Sequence, residues 1–334
     1  MTVCVIAQPI HPIGAQLLSQ AGIKVLQAPS ADLSSLRSVI GPADAVIVRD
    51  QLPADVIDLA PHLAVIANHG TGYDKVDVAH ATAVGIPVVY TPLANVRSVA
   101  EHALMLMLST ARQAVAADTA TRRGDWGFKY TQPMCSLYGK TLGLVGWGYT
   151  ARLLCAMAKQ ALNMRIVVWS PSADVSDMQH VGVEPMPTLK DLLHVADVVS
   201  LHRPLRADTR HTIDADALNA MQSHAILINT ARGGLVDEPA LVAALNQGKI
   251  FGAGLDVFET EPLPMDAPIA QCRNVVLTPH VAGSTQEALH ETAKQCAEQI
   301  IAVLSGQKPA NLIRPAVWEQ RKAPRAILSS GAAV

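Results

Sequence analysis

Short runs of β-branched and aliphatic residues alternate along this chain with longer Ala- and Leu-rich stretches of helical period. Apolar runs of four or five residues suit strands buried on both faces, as in a parallel sheet, better than strands with one wet face. The pattern predicts strands at Val3–Ala7, Ala45–Val48, Ala64–Asn68, Val88–Tyr90, Thr141–Val145, Arg165–Trp169, Asp197–Leu201, Ala225–Asn229 and Asn274–Leu277. Between them, segments such as Ala151–Ala161 and Glu238–Asn246 predict helices. Strands separated by crossover helices make parallel sheets, so the expected fold class is α/β.

The pattern has a break. Residues 1–92 form one βα series that closes at Thr91–Pro92. From Val96 to Arg123 the sequence predicts one extended helix. Its apolar residues Leu104, Met105, Leu106, Met107 and Leu108 cover more than one face, which suits a helix buried on both sides or one at a subunit interface. A fresh series starts at Gly139–Lys140–Thr141. The last helix, Gln286–Ser305, is placed to pack back on the first domain. The tail after Leu312 lacks periodicity and is expected to be loosely held.

Composition narrows the class. A chain of 334 residues suggests about two domains. Half the residues are hydrophobic and 16% are charged, which leaves room for a sizeable core. Aromatics are 4%, so Ala, Val, Leu and Ile must build that core. A net charge of −2 argues against nucleic acid as a partner. The five cysteines are scattered without a CxxC pair, which speaks against a disulfide framework or a metal site and fits a reducing cytoplasm. The segment MTVCVIAQPI has the pattern of a first strand rather than a signal peptide. No apolar run reaches the ~18 residues of a membrane span.

The strand TLGLV runs into Gly146-Trp147-Gly148-Tyr149-Thr150-Ala151, a G-x-G-x-x-A turn opening a helix. The first glycine permits the tight turn, the second lets pyrophosphate approach the backbone, and the small third residue lets helix and strand pack closely. The helix N-terminus then offers N–H groups and a positive dipole end to phosphates. An acidic residue is expected about 20 positions on, where it would bond a ribose 2′-hydroxyl and repel a 2′-phosphate. The next strand ends instead in Ser170. Either NAD or NADP therefore fits as cofactor. No Arg or Lys follows Ser170 before Lys190, and Arg203, after the next strand, is the nearest basic candidate.

Three segments at the carboxyl ends of late strands carry candidate chemistry: NTARGGLVDEPAL with Arg232, GAGLDVFETEP with Asp256 and Glu261, and VVLTPHVAGST with His280. Together they supply a cation for a carboxylate, a titrating acid/base and an acid to tune it. Hydride transfer at a carbinol requires that set.

These segments, with Gly70-Thr71-Gly72-Tyr73-Asp74, SVAEHAL at Ser98–Leu104, LYGKTLGLVGWG at Leu137–Gly148 and LHRPL at Leu201–Leu205, resemble the D-isomer-specific 2-hydroxyacid dehydrogenases over nearly the whole chain. That family includes the relatives of phosphoglycerate dehydrogenase and glyoxylate/hydroxypyruvate reductase. The resemblance implies two Rossmann-like domains: a flavodoxin-like substrate domain from residues 1–97 and 287–334, and an inserted doubly wound dinucleotide-binding domain from 98–286. It implies a cleft between them, a homodimer, and a small 2-oxo or 2-hydroxy acid as substrate. Arg232 would bind the substrate carboxylate and oxo group, His280 would be the acid/base, and Glu261 would pair with it. Gly70 and Thr71 would grip the carboxylate. Gly146, Gly148, Tyr149, Thr150, Ser170, His202, Pro204, Thr209, Thr230, Ala231, Asp256, His280 and Gly283 would line the cofactor, with Asp256 facing the nicotinamide carboxamide.

The chain departs from the family pattern at Thr150-Ala151, where isoleucine-glycine is usual, and at Ser170, where Asp is usual. Arg49, His69 and Trp126 are candidates for selecting the substrate side chain, and His69 fits a loop-edge role equally. A dinucleotide-sensing corepressor branch of the family is the alternative reading. Formate and phosphite dehydrogenases carry Gln at the position of Glu261 and Lys at that of Thr71, respectively.

Overall fold

The computed structural model describes residues 1–325. The chain divides into two compact units, Met1–Asn95 with Gly283–Val334, and Val96–Ala282. The boundaries expected at residues 97/98 and 286/287 shift by a few residues. One continuous helix begins at Val96, which carries Val96 and Arg97 into the second unit. At the other boundary Gly283 lies against Asn95 so closely that a Cβ would sit 2.7 Å from Asn95 Nδ2, and both belong to the first unit.

In the first unit the chain runs β1 (Val3–Ile6), α1 (Pro12–Gln20), β2 (Lys24–Gln27), α2 (Leu33–Val39), β3 (Ala45–Val48), α3 (Ala54–Asp58), β4 (Val65–Asn68), α4 (Val78–Ala83) and β5 (Val88–Val89). The five strands form a parallel sheet in the order β2-β1-β3-β4-β5, the flavodoxin-like order. β1, β3 and β4 are buried along their whole length, which is why their sequences VCVI, AVIV and VIAN carry no alternation. β2, with sequence KVLQ, lies at the sheet edge with exposed ends and was missed by the apolar-run criterion.

The second unit runs α5 (Val96–Ala111), α6 (Ala114–Arg122), α7 (Phe128–Thr131), β6 (Thr141–Val145), α8 (Tyr149–Leu162), β7 (Arg165–Trp169), α9 (Val175–His180), β8 (Glu184–Pro185), α10 (Leu189–Val195), β9 (Val198–Leu201), α11 (Ala215–Ala220), β10 (Ile226–Asn229), α12 (Glu238–Asn246), β11 (Gly252–Leu255) and β12 (Val275–Leu277). Its seven parallel strands are ordered β12-β11-β10-β9-β6-β7-β8. The order reverses at β6, the switch point of a doubly wound sheet. β11 escaped the sequence criterion because its residues are GAGL. That smallness has a purpose in packing: a Cβ on Gly254 would lie 2.9 Å from Leu106 Cβ, so glycine lets α5 close onto the sheet.

The single helix expected over Val96–Arg123 is two helices. Gln113 takes a left-handed φ of 48° and breaks the run between α5 and α6. The buried face of α5, including Ala103, Leu106, Met107 and Thr110, packs within its own unit, on α8 and the β10–β12 side of the sheet. Met105 and Leu108 on α5 and Val115 on α6 stay 38%, 39% and 57% exposed.

The first unit is completed by α13 (Gln286–Leu304), which packs on α1 and β4 as expected for a returning helix. The tail is held better than its sequence suggested. Residues Pro315–Gln320 form a 3-10 turn that buries Val317 and Trp318, and Trp318 joins the cluster of Val89, Ala297 and Ile300. The remainder of the tail, residues 326–334, lies outside the described residues. All five cysteines are free, and burial pushes the thiols of Cys4 and Cys296 up, away from the thiolate. No helix among the described residues is long and apolar enough to cross a membrane.

Candidate active site

The dinucleotide turn follows β6 at the switch point. Gly146 has φ 107°, and its N–H donates to Trp169 O at 2.9 Å. A Cβ there would also meet His202 O at 2.7 Å, so both the backbone angle and the crowding demand glycine. Gly148 is different: a Cβ would meet nothing within 4 Å. That open space borders the N-terminus of α8, whose N-cap is Gly148 without a side-chain cap, and it leaves the first turn's N–H groups to an anion. Tyr149 and Thr150 begin the helix, and Ala151 is buried against the sheet. The donor set fits a pyrophosphate.

After β9, His202 lies beside β6, donating its N–H to Val145 O at 2.8 Å. Its Nε2 is 2.9 Å from Ser200 Oγ, and burial pushes its pKa down to about 4. The loop beyond is closed by Thr209, whose hydroxyl donates to Pro204 O at 2.8 Å and accepts from Arg206 N at 2.7 Å.

The catalytic candidates come from β10, β11 and β12. After β10, Asn229 shapes the turn: its Oδ1 accepts from Ala231 N at 3.0 Å and its Nδ2 donates to Arg232 O at 2.8 Å. The Arg232 guanidinium donates through Nη1 to Ala231 O at 2.7 Å, and Thr230 is buried beside it in sequence. Gly233 then packs directly on the backbone after β11. A Cβ there would fall 1.9 Å from the Phe258 carbonyl carbon, an impossible approach for any other residue.

After β11 stands Asp256, which is 0% exposed. Its Oδ1 accepts from Thr278 Oγ1 at 2.6 Å and Val281 N at 2.9 Å, and its Oδ2 accepts from Ala282 N at 2.8 Å. His102 on α5 approaches Oδ1 at 3.4 Å and bonds Thr278 Oγ1 at 2.9 Å. Burial alone would push this carboxyl up, but the hydrogen bonds from His102, Thr278, Ala282 and Val281 outweigh it and hold it below the usual range. The geometry therefore gives Asp256 the work of bracing the loop that follows β12. Thr278 and His102 share that work, and neither stood out as a site residue in the sequence, because their partnership spans 176 positions.

The braced loop carries His280, held at φ 54° with its N–H donating to Asp256 O at 2.8 Å. A left-handed histidine is uncommon and persists where surrounding bonds over-determine it. Its Nδ1 lies 3.0 Å from Glu261 Oε2, while Glu261 Oε1 accepts from Phe258 N at 3.2 Å. The His280 side chain is 44% exposed and its Nε2 has no hydrogen bond among the described residues. Arg210 and His211 both pair with Glu259 at 2.8 Å and tie down the same acidic loop.

In the first unit, Gly70 and Thr71 follow β4. Gly70 has φ 148°, and Asn68 Nδ2 donates to the carbonyls of Gly70 and Gly72, both at 3.0 Å. The Thr71 hydroxyl donates to Asn95 Oδ1 at 2.8 Å. Arg49 and His69 follow β3 and β4 side by side, with His69 N donating to Val48 O at 2.8 Å. Burial, with a smaller push from Arg49, lowers the His69 pKa to about 4. Gly283 belongs to this unit, beside Asn95, and Trp126 is an exposed residue of the other.

Residues 104–282 match the family model of the D-isomer specific 2-hydroxyacid dehydrogenase NAD binding domain. A glyoxylate reductase of Korarchaeum cryptofilum is 41% identical over 281 residues, which is 82% of this chain and 83% of that protein. The chain belongs to the D-isomer specific 2-hydroxyacid dehydrogenases. A D-3-phosphoglycerate dehydrogenase of Methanocaldococcus jannaschii is 39% identical over 94% of this chain, which spans only 59% of that longer protein. Among solved structures, an NADPH-dependent glyoxylate/hydroxypyruvate reductase of Sinorhizobium meliloti, in complex with NADP and malonate, has a TM-score of 0.83 at 30% identity. That likeness covers 94% of this chain and 97% of the other.

The buried imidazole of this dehydrogenase at the switch point has a consequence for stability. The folded state holds His202 neutral down to about pH 4, whereas an unfolded histidine titrates near 6.5. Between those values the unfolded chain takes up a proton that the folded chain refuses, so stability is present above pH 6.5 and is lost as pH falls toward 4. Urea unfolding at pH 7 and pH 5 checks this. The drop in midpoint between the two is expected to be smaller in His202→Gln than in the wild type, and an equal drop would contradict it.

Proposed function

We propose that this dehydrogenase reduces a small 2-oxo acid of the glyoxylate, hydroxypyruvate or pyruvate type to the D-2-hydroxy acid. His280 is the proton donor, Glu261 its partner, and Arg232 the substrate anchor. The observation that carries the reading is the 3.0 Å contact of His280 Nδ1 with Glu261 Oε2, which leaves Nε2 to serve a substrate. A bound nicotinamide dinucleotide supplies the hydride that arrives at C2. Arg232 holds the carboxylate and polarises the oxo group through charge-assisted hydrogen bonds. His280 Nε2–H delivers the proton to the carbonyl oxygen as the C–H bond forms, and Glu261 stabilises the imidazolium before transfer. Reversal requires neutral His280 to take the hydroxyl proton.

Gly70 and Thr71 belong to the same proposal as substrate-binding residues, on the strength of their position at the carboxyl end of β4 in a loop fixed by Asn68 and Asn95. Gly146, Gly148, Tyr149, Thr150, His202, Pro204, Thr209, Thr230 and Ala231 are assigned to the cofactor, all at the carboxyl ends of β6, β9 and β10. The wet-facing apolar residues Met105, Leu108 and Val115 support a homodimer. A panel of 2-oxo acids run with both NADH and NADPH tests the activity directly, with kcat/KM as the readout.

Arg232→Lys is expected to raise KM for the oxo acid and lower kcat, since an ammonium cannot reproduce the planar fork. Dinucleotide affinity, measured by titration, should barely move; loss of dinucleotide affinity with an unchanged substrate KM would refute the assignment.

His280→Ala should cost about 10²–10⁴-fold in turnover with the dinucleotide still bound. Glu261→Gln removes the carboxylate that meets His280 Nδ1 and should lower kcat for reduction while leaving dinucleotide affinity, measured by titration, in place. Near-normal turnover in either variant would overturn the dyad.

Sedimentation equilibrium at micromolar concentration should show a dimer that Leu108→Glu converts to monomer. A wild-type monomer would remove the dimer from the proposal.

A further inference from the structure

Ser170 directly follows β7 where the dinucleotide fold usually places an acid, so nothing at that position repels a 2′-phosphate. A cation reaches this strand end from a different strand. Arg203 follows β9, two strands away from β7 in the sheet, with β6 lying between them. Its stem crosses the end of β6, where its Cγ lies 3.1 Å from the Cβ position of Gly146. Its guanidinium then settles over the ring of Trp169, 5.0 Å from the centroid. Trp169 is the last residue of β7 and immediately precedes Ser170. The Gly146 N–H bonds the Trp169 carbonyl at 2.9 Å, so the dinucleotide turn, the tryptophan and the arginine form one packed group.

Arg203 makes no ion pair and its guanidinium no hydrogen bond among the described residues. The acids that follow Ser170 in the chain are engaged elsewhere: Asp177 pairs with Arg152, and Asp174 caps α9 by accepting from Ser176 N. A cation–π contact with an indole restrains the guanidinium while its N–H groups stay available to an anion. A pre-placed guanidinium with no carboxylate partner among the described residues, over the residue that precedes Ser170 in the chain, suits a phosphate monoester.

We propose that Arg203, seated on Trp169 and assisted by Ser170, is the anchor for the 2′-phosphate of the dinucleotide, and that it makes this enzyme prefer NADPH over NADH. The inference rests on the dehydrogenase reading, but it concerns binding and can be measured without turnover. A shared platform for the adenine ring would instead serve both dinucleotides equally.

Calorimetric titration of the full chain with NADPH, NADH, 2′,5′-ADP and 5′-AMP separates the cases. The wild type is expected to bind NADPH and 2′,5′-ADP about 10–100-fold more tightly than NADH and 5′-AMP, as for a charge-assisted contact, with an advantage that shrinks as salt is raised. Arg203→Gln should erase that ratio while leaving NADH within about threefold of the wild type. Trp169→Leu should reduce the ratio partly, by releasing the fork. Ser170→Asp should invert it by placing a carboxylate beside the guanidinium, and this variant leaves Arg203 in place should Arg203→Gln fail to fold. A wild-type ratio near one, an unchanged ratio in both Arg203→Gln and Ser170→Asp, or an equal loss of both dinucleotides in Arg203→Gln overturns the proposal. Absence of binding by all four ligands would overturn the dehydrogenase reading itself along with it.

Discussion

A carboxylate with no exposed surface organises the loops at the carboxyl ends of β11 and β12 in the second unit. Asp256 is charged and buried, a state that costs several kcal/mol unless its oxygens are satisfied. They are satisfied by two backbone N–H groups and a threonine hydroxyl from the loop after β12, with His102 of α5 close by. That requirement fixes the course of the loop. It holds His280 in a left-handed conformation that an unrestrained histidine would leave, and it places Nδ1 against Glu261. The contact between His280 and Glu261 thus depends on a buried acid on a neighbouring strand end.

The glycines complete the same task by letting backbones meet. Gly233 allows the Arg232 turn to rest on the Phe258 carbonyl, and Gly146 allows β6 to turn beneath His202 and Arg203. The core follows the same logic. With 4% aromatics, packing depends on small and branched side chains, and Gly254 in β11 gives α5 a seat on the sheet. Close backbone approach sets the spacing of the strand ends, and the strand ends carry the chemistry.

Much of this was open to sequence reasoning for a physical reason. Interior parallel strands such as AVIV and TLGLV are buried on both faces, so they stand out as unbroken apolar runs. Strands that lack that environment did not: KVLQ lies at an edge, Glu184–Pro185 is a two-residue edge strand, and GAGL has almost no side chain to signal with. The break at Gln113 had no glycine or proline to announce it: a glutamine takes the left-handed conformation there, against its local preference. The buried Trp318 turn was missed since a tail's hold depends on a surface formed elsewhere in the chain.

The sequence by itself determined the α/β class and the glycine turn at Gly146–Gly148, and it marked Arg232, Glu261 and His280 as candidates, because each of these is encoded by residue type in a local pattern. Only the tertiary structure decided how they work together. The His280–Glu261 contact, the brace of Asp256, Thr278 and His102, and the passage of Arg203 over the β6 end to Trp169 all join segments far apart in the chain. A missing acid at Ser170 is visible in a string of letters. The cation that lies over Trp169 beside it is visible only when β9, β6 and β7 lie side by side, since sheet order, and not chain order, determines which side chains share a strand end.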